Sequence, residues 1–240
     1  MMYWLLKHIF LGPLLKVLYR PRVKGLENLP RKGPFILAIN HLSFVDSLFV
    51  PLLTPRRVVY LGKADYFDKW YMAWFFKAAG VIPVRREGGS ASEAALLAGI
   101  RALKQGLVVG IYPEGTRSPD GRLYRGKTGV ARMGLEARVP VVPVAVFGTD
   151  KVMPLDSKRP RLGVSVTIQF GKPLSFERFY DRPADRFVLR SVTDEILYEI
   201  MMLSGQEYVD EYASKVKDQL KAERAERERS TPQPSTRTPA

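Results

Sequence analysis

The sequence has no cysteine and very few histidines, and both shortages limit the chemistry that it can carry. Its 240 residues include only His8 and His41. Without cysteine there are no disulfides, no thiolate nucleophiles and none of the common zinc frameworks. Two histidines also exclude a multi-histidine metal site. A magnesium site made of carboxylates is still possible, but no residue pattern points to one. We therefore predict no metal and no bound cofactor.

The sequence also lacks an apolar run long enough to cross a bilayer, which takes about 20 residues. Its most apolar segment, residues 1–18, is broken at Gly12-Pro13 and interrupted by three basic side chains, Lys7, His8 and Lys16. The segment has neither the leading charge nor the small-residue cleavage site of a signal peptide. We therefore predict that residues 1–19 form a helix in the membrane interface. The alternative is a helix packed on the protein's own core.

Negative charge is scarce, because 24 acidic residues face 38 Lys and Arg residues and leave a net charge of +14. A surplus of this size is typical of proteins that bind nucleic acid or an anionic membrane surface. The tail is not its source, since residues 210–229 contain six cations and six anions. In the interfacial helix, Tyr3 and Trp4 would lie at headgroup level. Five cations would contact the anionic surface: Lys7, Lys16, Arg20, Arg22 and Lys24.

Short apolar runs alternate with segments of helical pattern, which predicts an α/β fold with a mainly parallel central sheet flanked by helices. The predicted strands are 34–39, 58–61, 81–84, 107–112 and 141–147. The predicted helices are 46–53, 70–79, 91–104, 128–138 and 185–202. Residues 164–170 alternate between polar and apolar, which is typical of a half-exposed strand at the edge of a sheet.

Three parts follow from this pattern. Residues 1–19 are the N-terminal membrane-interface helix, and residues 20–207 are the α/β domain, with 20–33 as a basic connector. Residues 208–240 are a charged helix or coil, whose end from Ser230 is rich in Ser, Thr and Pro and is predicted to be disordered.

His41 is the first catalytic candidate, because it comes just after the buried strand 34–39, at the carboxyl end where open α/β sheets bind ligands. Asp46 follows five residues later, a spacing that would separate the two on one straight helix. They can meet if His41 lies in the turn and Asp46 begins the next helix. Asp46 would then accept the Nδ1–H and leave Nε2 free as a base. The alternative is a satisfied histidine beside a helix-capping aspartate.

Three further stretches accompany Asn40-His41-Leu42-Ser43-Phe44-Val45-Asp46, and they occupy residues 80–86, 112–118 and 139–144. The last two read Tyr-Pro-Glu-Gly-Thr-Arg-Ser and Val-Pro-Val-Val-Pro-Val. In this order the four stretches resemble the NHxxxxD, GxxxxxR, xPEGTRS and VPVxPV motifs of the glycerolipid acyltransferase family. The resemblance covers about residues 20 to 172 and is nearest to the 1-acylglycerol-3-phosphate (lysophosphatidate) acyltransferases.

The resemblance implies a reaction in which a fatty acyl group moves from an acyl thioester to the free hydroxyl of 1-acylglycerol 3-phosphate, giving phosphatidate. His41 would be the general base and Asp46 its orienting partner, and the hydroxyl would attack the thioester directly. Ser43 is an alternative covalent nucleophile, which only its place inside the motif supports. The co-substrate would be acyl-CoA or an acyl carrier protein thioester.

An acceptor phosphate calls for arginines, whose planar fork matches its oxygens. Arg86 matches the arginine of the family's second motif and Arg117 that of the third. Arg85 stands where many members of the family have Asp or Asn, which leaves open which of the two adjacent arginines faces the ligand. Each predicted phosphate ligand follows an apolar strand.

The remaining substrate-binding candidates lie close to these arginines. Gly115 permits a tight turn whose backbone N–H groups could bind an anion, and Thr116 can donate a hydrogen bond. Glu114 is expected to orient an arginine or the acceptor glycerol. Three other residues are included as substrate-binding or second-rank candidates: Asn40, Lys63 and Lys127.

Other functions remain to be compared with this one. The same chemistry could serve glycerol 3-phosphate, another lysophospholipid or a glycolipid. A basic nucleic-acid-binding protein is disfavoured, because the aromatic residues cluster in an apolar segment and no nucleic-acid-binding signature is present. A non-catalytic membrane-binding module would not need the pair of His41 and Asp46. We therefore predict a peripheral enzyme on the cytoplasmic side of the cell membrane that binds anionic lipids, its lysophospholipid substrate and no nucleic acid.

Overall fold

The computed structural model of the chain describes residues 2–78, 80–84, 91–157 and 159–230. Its centre is a seven-stranded sheet in the order β1-β8-β7-β2-β5-β3-β4, and β6 pairs with β9 in a separate two-stranded ladder. The strands are β1 (Arg22–Lys24), β2 (Phe35–Ile39), β3 (Val58–Lys63), β4 (Val81–Val84), β5 (Val108–Ile111), β6 (Leu123–Tyr124), β7 (Val141–Phe147), β8 (Thr167–Phe170) and β9 (Tyr208–Val209).

Helices cover both faces of this sheet. They are α1 (Met2–Leu5), α2 (Leu11–Tyr19), α3 (Asp46–Leu53), α4 (Trp70–Ala78), α5 (Ala91–Lys104), α6 (Gly129–Ala137), α7 (Thr149–Val152), α8 (Arg186–Ser204) and α9 (Ala213–Ser230). A π-helical stretch, Leu6–Phe10, joins α1 to α2. Three short 3₁₀ turns are Leu26–Asn28, Ala64–Phe67 and Glu177–Phe179. The fold class is therefore as predicted, and five adjacent strands from β7 to β4 are parallel.

The central strand β2 shows how the alternating side chains build two cores. Ile36 and Ala38 pack with residues of α5, α6 and α8 on one face. Phe35, Leu37 and Ile39 pack with Tyr19 and residues of α3 on the other face. All five residues of β2 are fully buried, which explains why the strand is one continuous apolar run in the sequence.

One prediction about the edge of the sheet was wrong, and three short strands lie in segments where none was predicted. The alternating strand β8 does not lie at the edge, because β1 pairs with it on its outer side. β1 lies within residues 20–33, for which the sequence predicts a basic connector. Residues 113–127, the polar stretch after the predicted strand 107–112, also contain a strand, β6, whose partner β9 comes from the segment 208–240. The disorder predicted from Ser230 onward lies outside the described residues, except at Ser230 itself, which is the last residue of α9.

The N-terminal helical segment packs on α3, and this corrects one detail of the interfacial prediction. The Lys7 side chain is only 9% exposed, and its ammonium donates to the Thr54 carbonyl oxygen instead of facing a membrane surface. The Tyr3 hydroxyl donates to the Pro51 carbonyl oxygen at 3.1 Å. No helix among the described residues combines the length and the apolar character that a membrane crossing requires. Several apolar side chains of the segment stay exposed, including Trp4, Ile9, Phe10, Leu14 and Val17.

Candidate active site

The catalytic candidates meet across the turn between β2 and α3. His41 lies two residues past the end of the strand, and Asp46 is the first residue of the helix. His41 Nδ1 lies 2.9 Å from Asp46 Oδ2. The same oxygen accepts hydrogen bonds from the backbone N–H groups of Leu42 at 2.9 Å and Ser43 at 2.8 Å. Three donors on one oxygen hold the carboxylate in a fixed orientation toward the imidazole.

The contact with Asp46 decides which imidazole nitrogen is available. A carboxylate oxygen can only accept, so Nδ1 carries the proton and Nε2 has a free lone pair. The His41 side chain is 15% exposed, whereas that of Asp46 is fully buried. Nε2 makes no hydrogen bond with any residue in the described ranges. The histidine can therefore act as a general base on a group that enters from the exposed side.

Tyr112 contributes to the site in a way that the sequence analysis missed. Its ring stacks on the His41 imidazole with a centroid distance of 3.7 Å and an angle of 13°. The Tyr112 hydroxyl and the Ser47 hydroxyl are 2.8 Å apart, which ties the ring to α3. Stacking on one face and a hydrogen bond at Nδ1 together leave the imidazole little freedom to rotate. The signal in the sequence was the position of Tyr112 directly before Pro113, at the end of an apolar strand.

Glu114 positions the backbone of the site. One of its oxygens accepts the His41 N–H and the other the Tyr124 N–H, both at 3.0 Å. The Ser118 N–H donates to the His41 carbonyl oxygen at 2.7 Å, so the loop after β5 holds His41 through both backbone groups. Burial raises the pKa of the Glu114 carboxyl to about 7. Glu114 thus binds two backbone amides, and its predicted orientation of an arginine or the acceptor glycerol stays a prediction.

Asn40 and Ser43 are also committed to contacts within the protein. The Asn40 side chain, 1% exposed, exchanges hydrogen bonds with the backbone of Val146 and donates to Gln206 Oε1 at 2.7 Å. It joins β2 to β7 and to the segment after α8, and its assignment to the substrate stays a prediction. The fully buried Ser43 donates its hydroxyl to the Met153 carbonyl oxygen at 2.7 Å, which argues against a nucleophilic role.

The predicted phosphate ligands have different outcomes. Gly115 has φ +75°, and the side chain of Lys127 lies against its Cα, so this turn favours glycine. The Thr116 hydroxyl accepts a hydrogen bond from Lys217 at 2.8 Å. Within the described part of the chain, the guanidinium of Arg117 has no hydrogen bond or ion pair. Arg85 and Arg86 lie outside the described residues, and Lys63 is the last residue of β3.

The fold and the site define a class of protein: an α/β protein with a histidine, bound by an aspartate, at the carboxyl end of its central parallel strand. The described residues contain no group of three or more His, Asp or Glu side chains that could hold a metal ion. The site combines an imidazole oriented by Asp46, a loop bound to the backbone of His41, and the cations Arg117 and Lys217 on or beside that loop. Comparison with known proteins gives this class a family.

The profile of the acyltransferase family matches residues 20–147. A chloroplastic 1-acyl-sn-glycerol-3-phosphate acyltransferase of Brassica napus is 34% identical over 141 residues, which are 58% of this chain and 41% of that protein. A 1-acyl-sn-glycerol-3-phosphate acyltransferase of Bacillus subtilis (strain 168) is 35% identical over 129 residues, which are 53% of this chain and 62% of that protein. The chain thus matches between about two fifths and three fifths of these relatives' own length.

A solved structure agrees with these matches. The 1-acyl-sn-glycerophosphate acyltransferase PlsC of Thermotoga maritima superposes with a TM-score of 0.61 at 25% identity, covering 76% of this chain and 71% of that one. The chain belongs to the acyltransferase family.

The buried carboxyl of Glu114 predicts a pH-dependent stability. Its pKa is about 7 in the folded protein and 4.5 ordinarily, so the unfolded chain releases this proton first as the pH rises. Because of this group, the free energy of unfolding falls as the pH rises from 5 to 7, by at most about 1.4 kcal/mol per pH unit. Urea denaturation at several pH values should show this decrease in the wild type relative to Glu114→Gln.

The exposed Glu207 provides the control for this comparison, because its side chain is 73% exposed. Glu207→Gln should follow the wild-type pH profile. Parallel profiles for the wild type and Glu114→Gln would show that the Glu114 carboxyl does not titrate in this range.

Proposed function

We propose that the protein transfers a fatty acyl group from an acyl thioester to the free hydroxyl of 1-acylglycerol 3-phosphate, giving phosphatidate. The observation that carries the proposal is the imidazole of His41, with Nδ1 held by Asp46 at 2.9 Å and Nε2 free. The names of the relatives support the choice of acceptor. The co-substrate is acyl-CoA or an acyl carrier protein thioester, and the reaction uses no metal or bound cofactor.

The geometry supports direct attack by the acceptor. Nε2 of His41 takes the proton of the acceptor hydroxyl while the hydroxyl oxygen bonds to the carbonyl carbon of the thioester. The C–S bond breaks as the tetrahedral intermediate collapses, and the imidazolium returns the proton to the departing sulfur. Asp46 stabilises the imidazolium between these two events. Direct attack needs no acyl-enzyme. The hydroxyl of Ser43, the alternative nucleophile, is already bound to the Met153 carbonyl oxygen.

The acceptor phosphate has a candidate site beside this base. Arg117 lies on the same loop as Glu114 and Ser118, both of which bind the backbone of His41. Its guanidinium is not engaged by the described residues, so it is available for a ligand. We assign Arg86 the same role because it matches the family's second motif. A phosphate held here would place the acceptor close to the base.

The proposed location is the cytoplasmic surface of the cell membrane, where the protein would bind as a peripheral protein. The support is the apolar face of α2 and the preceding π-helical stretch, where Phe10 is 63% and Val17 is 73% exposed. Large apolar side chains that stay together at a surface indicate a membrane or a partner. The basic side chains Lys16, Arg20 and Arg22 are exposed in and just after the same segment, as an anionic surface would require.

Replacing the base should abolish transfer without unfolding the protein. We expect His41→Ala to lower kcat by roughly 10²- to 10⁴-fold, the usual contribution of a general base. Asp46→Asn should lose a large part of this through the wrong tautomer. The measurement is thiol release from the thioester in the presence of lysophosphatidate, with circular dichroism as the folding control. A rate above about a tenth of wild type in His41→Ala would exclude this histidine as the base.

Removing one phosphate-binding arginine should affect only acceptors that carry phosphate. Arg86→Ala and Arg117→Ala should each lower kcat/KM for lysophosphatidate by about ten- to a hundredfold, because a charged hydrogen-bonding partner is lost. Monoacylglycerol, which has no phosphate, should be affected much less. Arg101→Ala, at an exposed position of α5, is the matched control. Equal losses on both acceptors would mean that these arginines bind the donor or support the fold.

The exposed apolar face should determine membrane binding. The combined change of Phe10, Leu14 and Val17 to Ser should lower sedimentation with vesicles of phosphatidylcholine and phosphatidylglycerol by roughly tenfold or more, because their insertion is lost. High salt should weaken the wild type as well. Phe187→Ser is the control, since this side chain is also exposed and lies on α8. Equal sedimentation of the triple variant and the wild type would contradict the proposal.

A further inference from the structure

The segment after α8 is fastened to the loop that carries the phosphate-binding candidates. β9 pairs with β6, and the Arg125 N–H donates to the carbonyl oxygens of Val209 and Glu211. The Gln206 amide donates to the Gly121 carbonyl oxygen. The first residue of α9, Ala213, is fully buried. The start of this helix is therefore held in a fixed position relative to the loop 113–127.

This arrangement brings Lys217, about one turn into α9, to the active-site loop. Its ammonium donates to the Thr116 hydroxyl oxygen at 2.8 Å, across 101 residues of sequence. An ammonium has three donors, so two are left for a ligand. The hydroxyl of Thr116 uses its oxygen in this contact and keeps its own proton for donation. Both groups can thus still bind an acceptor atom.

The charges around Lys217 are not balanced. Burial lowers its pKa most, and the neighbouring positive charges of Arg117 and Lys221 lower it further. Glu114 attracts it, but that carboxyl is buried, is bound by two backbone amides and has a raised pKa. No carboxylate forms an ion pair with Lys217 or Arg117 among the described residues. Arg117 directly follows Thr116 in the chain, so its positive charge acts on Lys217, and a bound anion would offset the repulsion between the two cations.

We infer that Lys217 and Arg117, together with the Thr116 hydroxyl, form a single phosphate-binding site, so that α9 completes the acceptor pocket. The helix lies beyond residues 20–147, which match the family, and the sequence analysis assigned it to the tail. That the phosphate belongs to the acyl acceptor rests on the proposed function. The anion site itself rests on the contact with Thr116 and on the unbalanced pair of cations.

The test measures binding separately from catalysis. Calorimetric titration of the full chain uses hexanoyl lysophosphatidate, with hexanoyl monoacylglycerol as the phosphate-free probe. Lys217→Met keeps most of the length of the side chain without its charge and should raise Kd for the lysophosphatidate about tenfold, as expected for one lost charged contact. Lys217→Arg should restore most of the affinity. Lys215→Met is the matched control, because Lys215 is exposed and paired with Glu211.

Each outcome supports or overturns the inference. The inference is supported if Lys217→Met binds hexanoyl lysophosphatidate more weakly, its binding of the phosphate-free probe and its thermal unfolding are unchanged, and Lys215→Met behaves like the wild type. If Lys217→Met kept the wild-type affinity for hexanoyl lysophosphatidate and Arg117→Ala lost it, the inference would be wrong and the proposed function would be unaffected. Lys217 would then only hold α9 against the loop. Binding that neither variant changes, or no binding by the wild type, would overturn the phosphate site of the proposed function as well.

Discussion

The interaction on which the rest of the site depends is the pair of hydrogen bonds that the Glu114 carboxylate accepts from the N–H groups of His41 and Tyr124. The first fixes the backbone of His41, and the second fixes β6, which in turn pairs with β9 and sets the start of α9. Burying a carboxylate is unfavourable, as the raised pKa of Glu114 indicates. No neutral side chain of similar shape offers two acceptor oxygens. The fold therefore keeps the buried carboxyl of Glu114 between His41 and Tyr124 although its burial is unfavourable.

The sheet explains why these groups meet at all. β5 pairs with β2 in parallel, so the segments that follow the two strands emerge side by side. The β5 segment supplies Tyr112, which stacks on His41, and the Tyr60 ring stacks on Tyr112 with a centroid distance of 5.7 Å. Gly110 makes this column of rings possible, because a Cβ at that position would lie 2.5 Å from the Tyr60 ring. The position of the imidazole is thus fixed from the strand side as well as by Asp46.

Local patterns in the sequence were enough for the main helices and strands. The helices at 46–53 and 91–104 and the strand at 141–147 have the predicted bounds, because each is long and strongly patterned. The pairing of His41 with Asp46 followed from a spacing of five residues. β1, β6 and β9 have only two or three residues and leave no periodic signal. The contact of Lys217 with Thr116 depends on the tertiary fold alone, which is why the sequence assigned α9 to a tail.

The same reasoning links the N-terminal segment to the catalytic centre through α3. In an α-helix the Pro51 carbonyl would pair with the N–H of residue 55, but that residue is Pro55, which has none. The Tyr3 hydroxyl fills the vacancy, and Lys7 places a cation on the Thr54 carbonyl at the negative end of the helix. Asp46 lies at the other end of these eight residues, roughly 12 Å away. α3 therefore joins the segment proposed to bind membranes to Asp46, the partner of His41, so the depth of that segment in a bilayer would set the height of His41 above it.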